Sequence, residues 1–207
     1  SLGCGQVLHC PYTADKARIV VQEMIDGISL ELVEKRLVTD QLVLTVGYDI
    51  ENLTRPEIRK VYKGPVTTDR YGRRVPKHAH GTWNLPRATS SSSELLEAMA
   101  ALYDKIVNPA LLIRRMSLSA CHVVNEKMAK EREQKETFEQ LDLFTDYAKK
   151  EAKEKEEQKK RERERRMQEA LLMIKKKYGK NAVLRGMNFE EGATAKERNG
   201  QIGGHQA

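Results

Sequence analysis

His78 and His80 stand one residue apart, and on a strand both imidazoles would point to one face, where a metal could be held. A bound metal needs three or four ligands. Cys4 or His122 would have to converge on the pair, so no metal site is expected. Gly3-Cys4-Gly5 is no phosphate loop, because it lacks the spacing, the lysine and the following helix. What remains is binding chemistry of two kinds. Nine cations (Arg55, Arg59, Lys60, Lys63, Arg70, Arg73, Arg74, Lys77, Arg87) face two acids (Glu57, Asp69) within residues 55–87, a local charge of +7 that suits a polyanion. Gln140-Leu141-Asp142-Leu143-Phe144 is the second kind. Leu143 and Phe144 can fill a preformed apolar pocket, and the Gln140 amide both donates and accepts hydrogen bonds. The rival reading of this pentapeptide is a helical turn whose Leu141, Phe144 and Ala148 touch a core. Its flanks favour a ligand: Phe138 is the one aromatic residue of 129–139, and 146–169 is almost entirely charged.

These groups need a scaffold, and composition bounds its size. Of 207 residues, 32% are charged and 39% hydrophobic, which supports one modest core rather than two large ones. No apolar run approaches the roughly 18 residues of a membrane span, and no secretory signal is visible. Cys4, Cys10 and Cys121 are odd in number and lack metal-ligand pairing, as in a reducing cytoplasm. Charge is uneven. Residues 1–125 hold 16 Lys/Arg against 13 Asp/Glu, residues 126–170 hold 14 against 14, and residues 171–207 hold 7 against 3. The chain opens on Ser1 directly in a strand pattern, as expected of a piece of a longer protein.

The patterning predicts a strand over Leu2 to Leu8, then a helix from Thr13 to about Arg36 with Ala17, Val20, Val21, Met24, Ile28 and Leu32 as its buried stripe. Gly27 costs that helix about 1 kcal/mol against alanine, so packing of the helix is expected to compensate. Gln41 to Asp49 alternates as a half-buried strand. Residues 50–76 read as loop with room for a small hairpin. Lys77 to Leu85 reads as a strand. Ser91 to Glu94 is a capping box, with the Glu94 carboxylate reaching back. Its helix carries Leu95, Leu96, Met99, Leu102, Tyr103 and Ile106 and ends at Asn108-Pro109, and Leu111 to Val123 is the last strand. The expected class is α+β: a four-stranded antiparallel sheet in the order β-α-β-β-α-β, two helices on one face. Thr45, His78, His80, Thr82, Asn84, Arg115, Ser117 and Ser119 should share the other face, whose hydroxyls and cations suit phosphates. Its plain alternative is a solvent face.

Beyond the sheet, residues 149–169 alternate in charge. Glu151-Lys155, Glu156-Lys160 and Glu162-Arg166 are spaced for helix-stabilising pairs. Met167, Ala170, Leu171 and Ile174 then form an apolar stripe. The helix is expected to be solvated at first, to pack through its last three turns, and to end at Gly179. After Gly186 the chain is Gly-rich and polar, and disorder is the default.

Taken together, Ser1-Leu2-Gly3, Leu85-Pro86 before the Ser/Thr-rich stretch Thr89 to Ser93, and Arg114-Arg115-Met116-Ser117-Leu118 resemble the little finger domain of Y-family DNA polymerases. These are lesion-bypass enzymes of the DinB and UmuC type. The pentapeptide 140–144 resembles the motif by which bacterial polymerases and repair proteins bind the sliding clamp, matching Gln-Leu-Ser/Asp-Leu-Phe throughout. Residues 181–187 and 198–205 resemble the ends of UmuC-like polymerases of Gram-positive bacteria. The resemblance implies a little finger over 1–125, a clamp-binding linker over 126–148, a charged helix over 149–180 and a tail over 181–207. It implies duplex DNA and the sliding clamp as partners, in the cytoplasm at the nucleoid, with no membrane. By position it puts Ser1, Gly3, Arg114, Arg115 and Ser117 on backbone phosphates. Face assignment adds His78, His80 and Thr82, and the basic insert adds Arg73, Arg74 and Lys77. The insert at 55–77 departs from shorter versions of the domain. Catalysis is not expected here, because the palm carboxylates and their Mg2+ would lie in another part of the parent. A clamp-tethered, non-catalytic DNA-binding adaptor is one rival. An RNA-binding protein is another, disfavoured because that face carries none of the stacking aromatics.

Overall fold

The computed structural model describes residues 1–69, 71–137, 147–202 and 205–206, without the side chains of 133–137, 147–154, 201–202 and 205–206. In chain order, β1 (Leu2–Tyr12), α1 (Ala14–Glu34) and β2 (Leu37–Tyr48) are followed by the short helices α2 (Glu51–Thr54) and α3 (Pro56–Val61). A hairpin, β3 (Val66–Thr68) and β4 (Arg74–Pro76), leads to β5 (Ala79–Thr89), α4 (Ser92–Ile106), β6 (Ile113–Cys121) and β7 (Val124–Asn125). Then come α5 (Glu126–Thr137), α6 (Tyr147–Tyr178), a 3-10 turn (Gly186–Phe189), α7 (Ala195–Arg198), β8 (Gln201–Ile202) and β9 (His205–Gln206).

The chain is α+β and its sheet is antiparallel, in the order β1-β6-β2-β5. β1 and β2 both run antiparallel to β6, and β5 and β6 both run antiparallel to β2. Two split β-α-β units therefore interlock. The sheet has five strands, not four. After Cys121 the chain turns at His122, which takes a left-handed φ of 50° and is held by a 2.9 Å contact from Nδ1 to Asp40 Oδ1. Beyond that kink β7 pairs with Leu37 and Val38 at the start of β2. One hydrophobic ribbon read as Leu111 to Val123 thus becomes two strands, because a left-handed residue breaks the pleat. The strand expected over 77–85 runs instead over Ala79–Thr89, and Pro86 is tolerated because β5 is an edge.

One face of the sheet meets α1 and α4. Leu42, Leu44, Val46, Met116, Leu118 and Ala120 point there and are buried with Val20, Met24, Ile28, Leu95, Met99 and Leu102. Each fully buried Leu or Ile contributes about 1.5–3 kcal/mol. Gly81 lets α4 come close: a Cβ there would stand 2.9 Å from Leu102 Cδ1 and 2.8 Å from Ile106 Cγ2. Gly27 has no such reason. It is exposed, and nothing lies within 4 Å of where its Cβ would be; the buried residues of α1 before and after it offset its cost.

A third layer covers the helices. α6 lies against α1, where Lys176 pairs with Glu34 at 2.7 Å, and holds the start of α4 through Glu164, Arg165 and Gln168, whose amide donates to Ser90 O (3.0 Å) and Ser92 Oγ (2.8 Å). The face it packs is mixed, since Leu171 and Leu172 continue it half-buried. Of the expected apolar stripe, Leu171 is half-buried, whereas Met167, Ala170 and Ile174 are exposed. The expected capping box forms only by half. Ser91 Oγ accepts from Glu94 N, but the Glu94 carboxylate turns to Arg87 and Ser91 N donates instead to Thr89 Oγ1 (3.1 Å), while Glu164 of α6 accepts from Ser93 N (2.9 Å). The segment after Gly186 is folded against α1, where disorder was the default reading. Glu23 of α1 is 3% exposed and accepts from Asn188 Nδ2 (2.8 Å), Thr194 N (2.9 Å), Thr194 Oγ1 (3.2 Å) and Ala195 N (2.9 Å).

Candidate nucleic-acid interface

The uncovered face of the sheet is built by register. Gly5, Ser117, Thr45 and His80 lie in one row across β1, β6, β2 and β5. Gly3, Ser119, Val43 and Thr82 form the next row, and Val7, Arg115 and Gly47 the row on the other side. Along β1, β6, β5 and the 41–47 stretch of β2, no Asp or Glu points to this face. The face is flat because its residues are small. A Cβ on Gly3 would meet Ser119 Oγ at 2.8 Å, and one on Gly47 would meet Arg115 Cγ and Nε at 2.6 Å. The Arg115 stem therefore lies across the bare Gly47 backbone. Its guanidinium is exposed and joins no hydrogen bond or ion pair among the described residues.

The basic insert bends over one end of this face. Asp69 closes the β3–β4 turn: Oδ1 accepts from the backbone N–H groups of Tyr71 and Arg73, each at 2.9 Å, and Gly72 supplies the left-handed φ of 77°. The hairpin encloses a depression of about 280 Å³ with Thr67, Thr68 and Pro76 on one side and Gly47, His78 and Arg115 on the other. A second depression, of about 380 Å³, continues from Gly47, His78 and Arg115 toward Gly5, Thr45 and Ser117. The two share Gly47, His78 and Arg115 and so form one trough.

The residues expected on DNA separate into groups. Gly3, Thr82, His80, Arg115 and Ser117 are on the open face, and His78 lies where the two depressions meet. His80 Nδ1 is 2.9 Å from Thr45 Oγ1. Ser1 is exposed at the outer end of β1. Arg74 and Lys77 are exposed on the insert, free of ion pairs among the described residues. Arg73 is not free: it binds Asp69 at 2.8 Å, and that guanidinium holds the Asp69 carboxyl below the usual range. Arg114 is the extra residue of a bulge, because Gly47 pairs with Arg115 and Tyr48 with Ile113. Its Nε lies 3.8 Å from Asp49 Oδ2, off the face. Arg70 and the pentapeptide Gln140, Leu141, Asp142, Leu143 and Phe144 lie outside the described residues. Sequence reasoning passed over Gly5, Gly47, Thr67 and Thr68. A glycine inside a strand signals a close approach, and Gly47 carried that signal.

Among the described residues no group of three His, Cys, Asp or Glu is placed to hold a metal. None of their helices is long and apolar enough to cross a membrane. No family model matches the chain, and no curated protein sequence matches it.

Proposed function

We propose that the open face grips duplex DNA by its backbone phosphates without reading sequence. In this reading the chain is the DNA-holding and clamp-tethering part of a Y-family lesion-bypass polymerase. One observation carries the DNA reading: an acid-free sheet face mainly of Gly, Ser, Thr and His, with Val7 and Val43 among them and Arg115 exposed and unpaired across Gly47. Small hydroxyl residues let a phosphate backbone approach and donate hydrogen bonds to it, while the cations supply the attraction. The same face displays no Phe, Tyr or Trp, which RNA-binding sheets use for stacking. Clamp tethering rests on the 140–144 pentapeptide alone.

The test is duplex affinity against salt. With Arg73 and Arg114 tied to carboxylates, the free cations nearest the trough are Arg74, Lys77 and Arg115. Three phosphate contacts give a slope of log K against log salt near about −3. Arg115→Ala should flatten it by about one unit and weaken all duplex sequences alike. Salt-independent binding, or strong preference for one sequence, overturns the proposal.

A further inference from the structure

The outward side of α6 carries a second kind of surface. Its inward side is committed to the domain through Glu164, Arg165 and Gln168. At 3.6 residues per turn, Arg163, Met167, Ala170, Ile174 and Tyr178 fall on one outward stripe about 20 Å long. Its apolar members are bare: Met167 is 53% exposed, Ile174 38% and Tyr178 66%, with Met173 67% exposed alongside. Helix propensity does not call for this, since the first half of α6 makes a helix mostly from charged residues.

The charges beside the stripe are mostly positive. Within the described part of α6, ion pairs engage Lys160, Arg161, Arg165 and Lys176. Lys159, Arg163, Arg166 and Lys177 have no carboxylate partner among the described residues. Glu162, spaced to neutralise Arg166, instead accepts from Gln158 Nε2 at 3.4 Å. Glu164 points into the domain and Glu169 is held by Arg165 at 3.0 Å. The outward side thus carries these four cations against Glu162, whose partner is a neutral amide, and the apolar stripe lies among an excess of positive charge.

We infer that this face of α6 docks an acidic amphipathic helix of a partner protein. Exposed Met and Ile gain by burial against apolar side chains, and methionine adapts to varied partner shapes. Four uncompensated cations around them attract carboxylates and repel a second copy of the same face. Duplex DNA would neutralise the cations but leave the apolar stripe without a partner. An anionic bilayer is the less favoured apolar surface, because the stripe offers no Trp, Phe or Leu to insert.

The probe is a synthetic peptide of about 18 residues, with Leu at helical spacing on one face and Glu elsewhere. Its control has the same composition in an order that spreads Leu around the helix. The full chain carries 13C-labelled methionine methyls. The amphipathic peptide should shift the Met167 and Met173 signals, leave those of buried Met24 and Met99 in place, and bind about tenfold tighter than its control. Met167→Ser with Ile174→Ser should weaken it by about tenfold with an unchanged thermal midpoint. In a second variant, Arg163→Glu with Arg166→Glu should abolish binding of the acidic peptide. Equal affinity for the control peptide, undiminished binding by either variant, or stronger shifts from a DNA duplex or phosphatidylglycerol vesicles each overturn the inference. Arg115→Ala should leave peptide binding unchanged, so failure of the duplex-binding proposal reads out separately.

Discussion

At Gly47 a single hydrogen in place of a methyl decides where a guanidinium lies. Gly47→Ala puts a carbon 2.6 Å from Arg115 Cγ and Nε. These are side-chain atoms with room to move outward, so the cost falls on placement rather than folding. Duplex affinity should drop and the thermal midpoint should hold. A large fall in midpoint would show that backbone, not the Arg115 stem, takes up the clash. Gly27 is the opposite case. With open space around it in a helix, Gly27→Ala should stabilise the chain by up to about 1 kcal/mol, read by chemical denaturation. The open face itself was legible, because a period of two placed Thr45, His80, Thr82, Arg115 and Ser117 together before any register was known. Two cations were not. Arg114 looked like its neighbour, but a bulge turned it to Asp49, and nothing local in Arg-Arg-Met announces which residue bulges. Arg73 is spent on Asp69, an i,i+4 pair that only the hairpin turn brings face to face.

Two helices, α4 and α7, take a carboxylate at their N-termini from another element. Glu164 of α6 accepts from Ser93 N and Ser93 Oγ, each at 2.9 Å, at the start of α4. Glu23 of α1 accepts from Thr194 N and Ala195 N at the start of α7. A negative charge there satisfies unpaired N–H groups and meets the positive end of the helix. Glu164→Ala should cost about 1–2 kcal/mol and raise hydrogen exchange along the second half of α6. Unchanged exchange would mean that Gln168 and Arg165 suffice to hold it. The elements of the sheet were readable because each follows its own period. Docking of the last turns of α6 was readable from its apolar residues, and Leu171 and Leu172 are half-buried there beside Gln168; the contacts of Glu164 and Arg165 were not, because a charge pattern looks the same solvated or docked. Asp26 adds a pH signature to this layer. Burial pushes its carboxyl above the ordinary range, and Arg185, 2.8 Å from Oδ1 but out of line for a hydrogen bond, offsets that only in part. The folded state therefore holds this proton to a higher pH than the unfolded chain does. Stability from this group falls as pH rises from about 4 toward the raised value. Asp26→Asn should remove that part of the slope, seen as the difference between the two chains' midpoints across acidic pH. Parallel profiles would reject it.

Across the whole molecule, the two ends of the chain meet on the side away from the proposed DNA surface. Gln6 of β1 donates from Nε2 to Thr194 Oγ1 at 3.0 Å and accepts from Arg198 Nη1 at 2.8 Å. Lys16 meets Glu191, and Arg185 meets Asp26. The sequence offered no warning, since Gly-rich polar tails lack the apolar stripe that marks a docked segment. Here the docking is by hydrogen bonds to a buried acid, which composition does not register. Ending the chain after Gly179 tests the arrangement. Truncation also uncovers Glu23 and Asp26, so water replaces their lost donors and the penalty is smaller than that of a buried, unpaired carboxylate. Mutating Thr194 and Asn188 to valine and leucine in the full chain keeps Glu23 covered while removing two donors. The double variant should therefore lose more stability per hydrogen bond removed than the truncated chain. Both should retain the duplex affinity and salt slope of the full chain, because the open face lies across the sheet from α1. An unchanged midpoint on truncation would show that residues 180–207 add nothing to the fold. Loss of duplex binding would show that they take part in the grip.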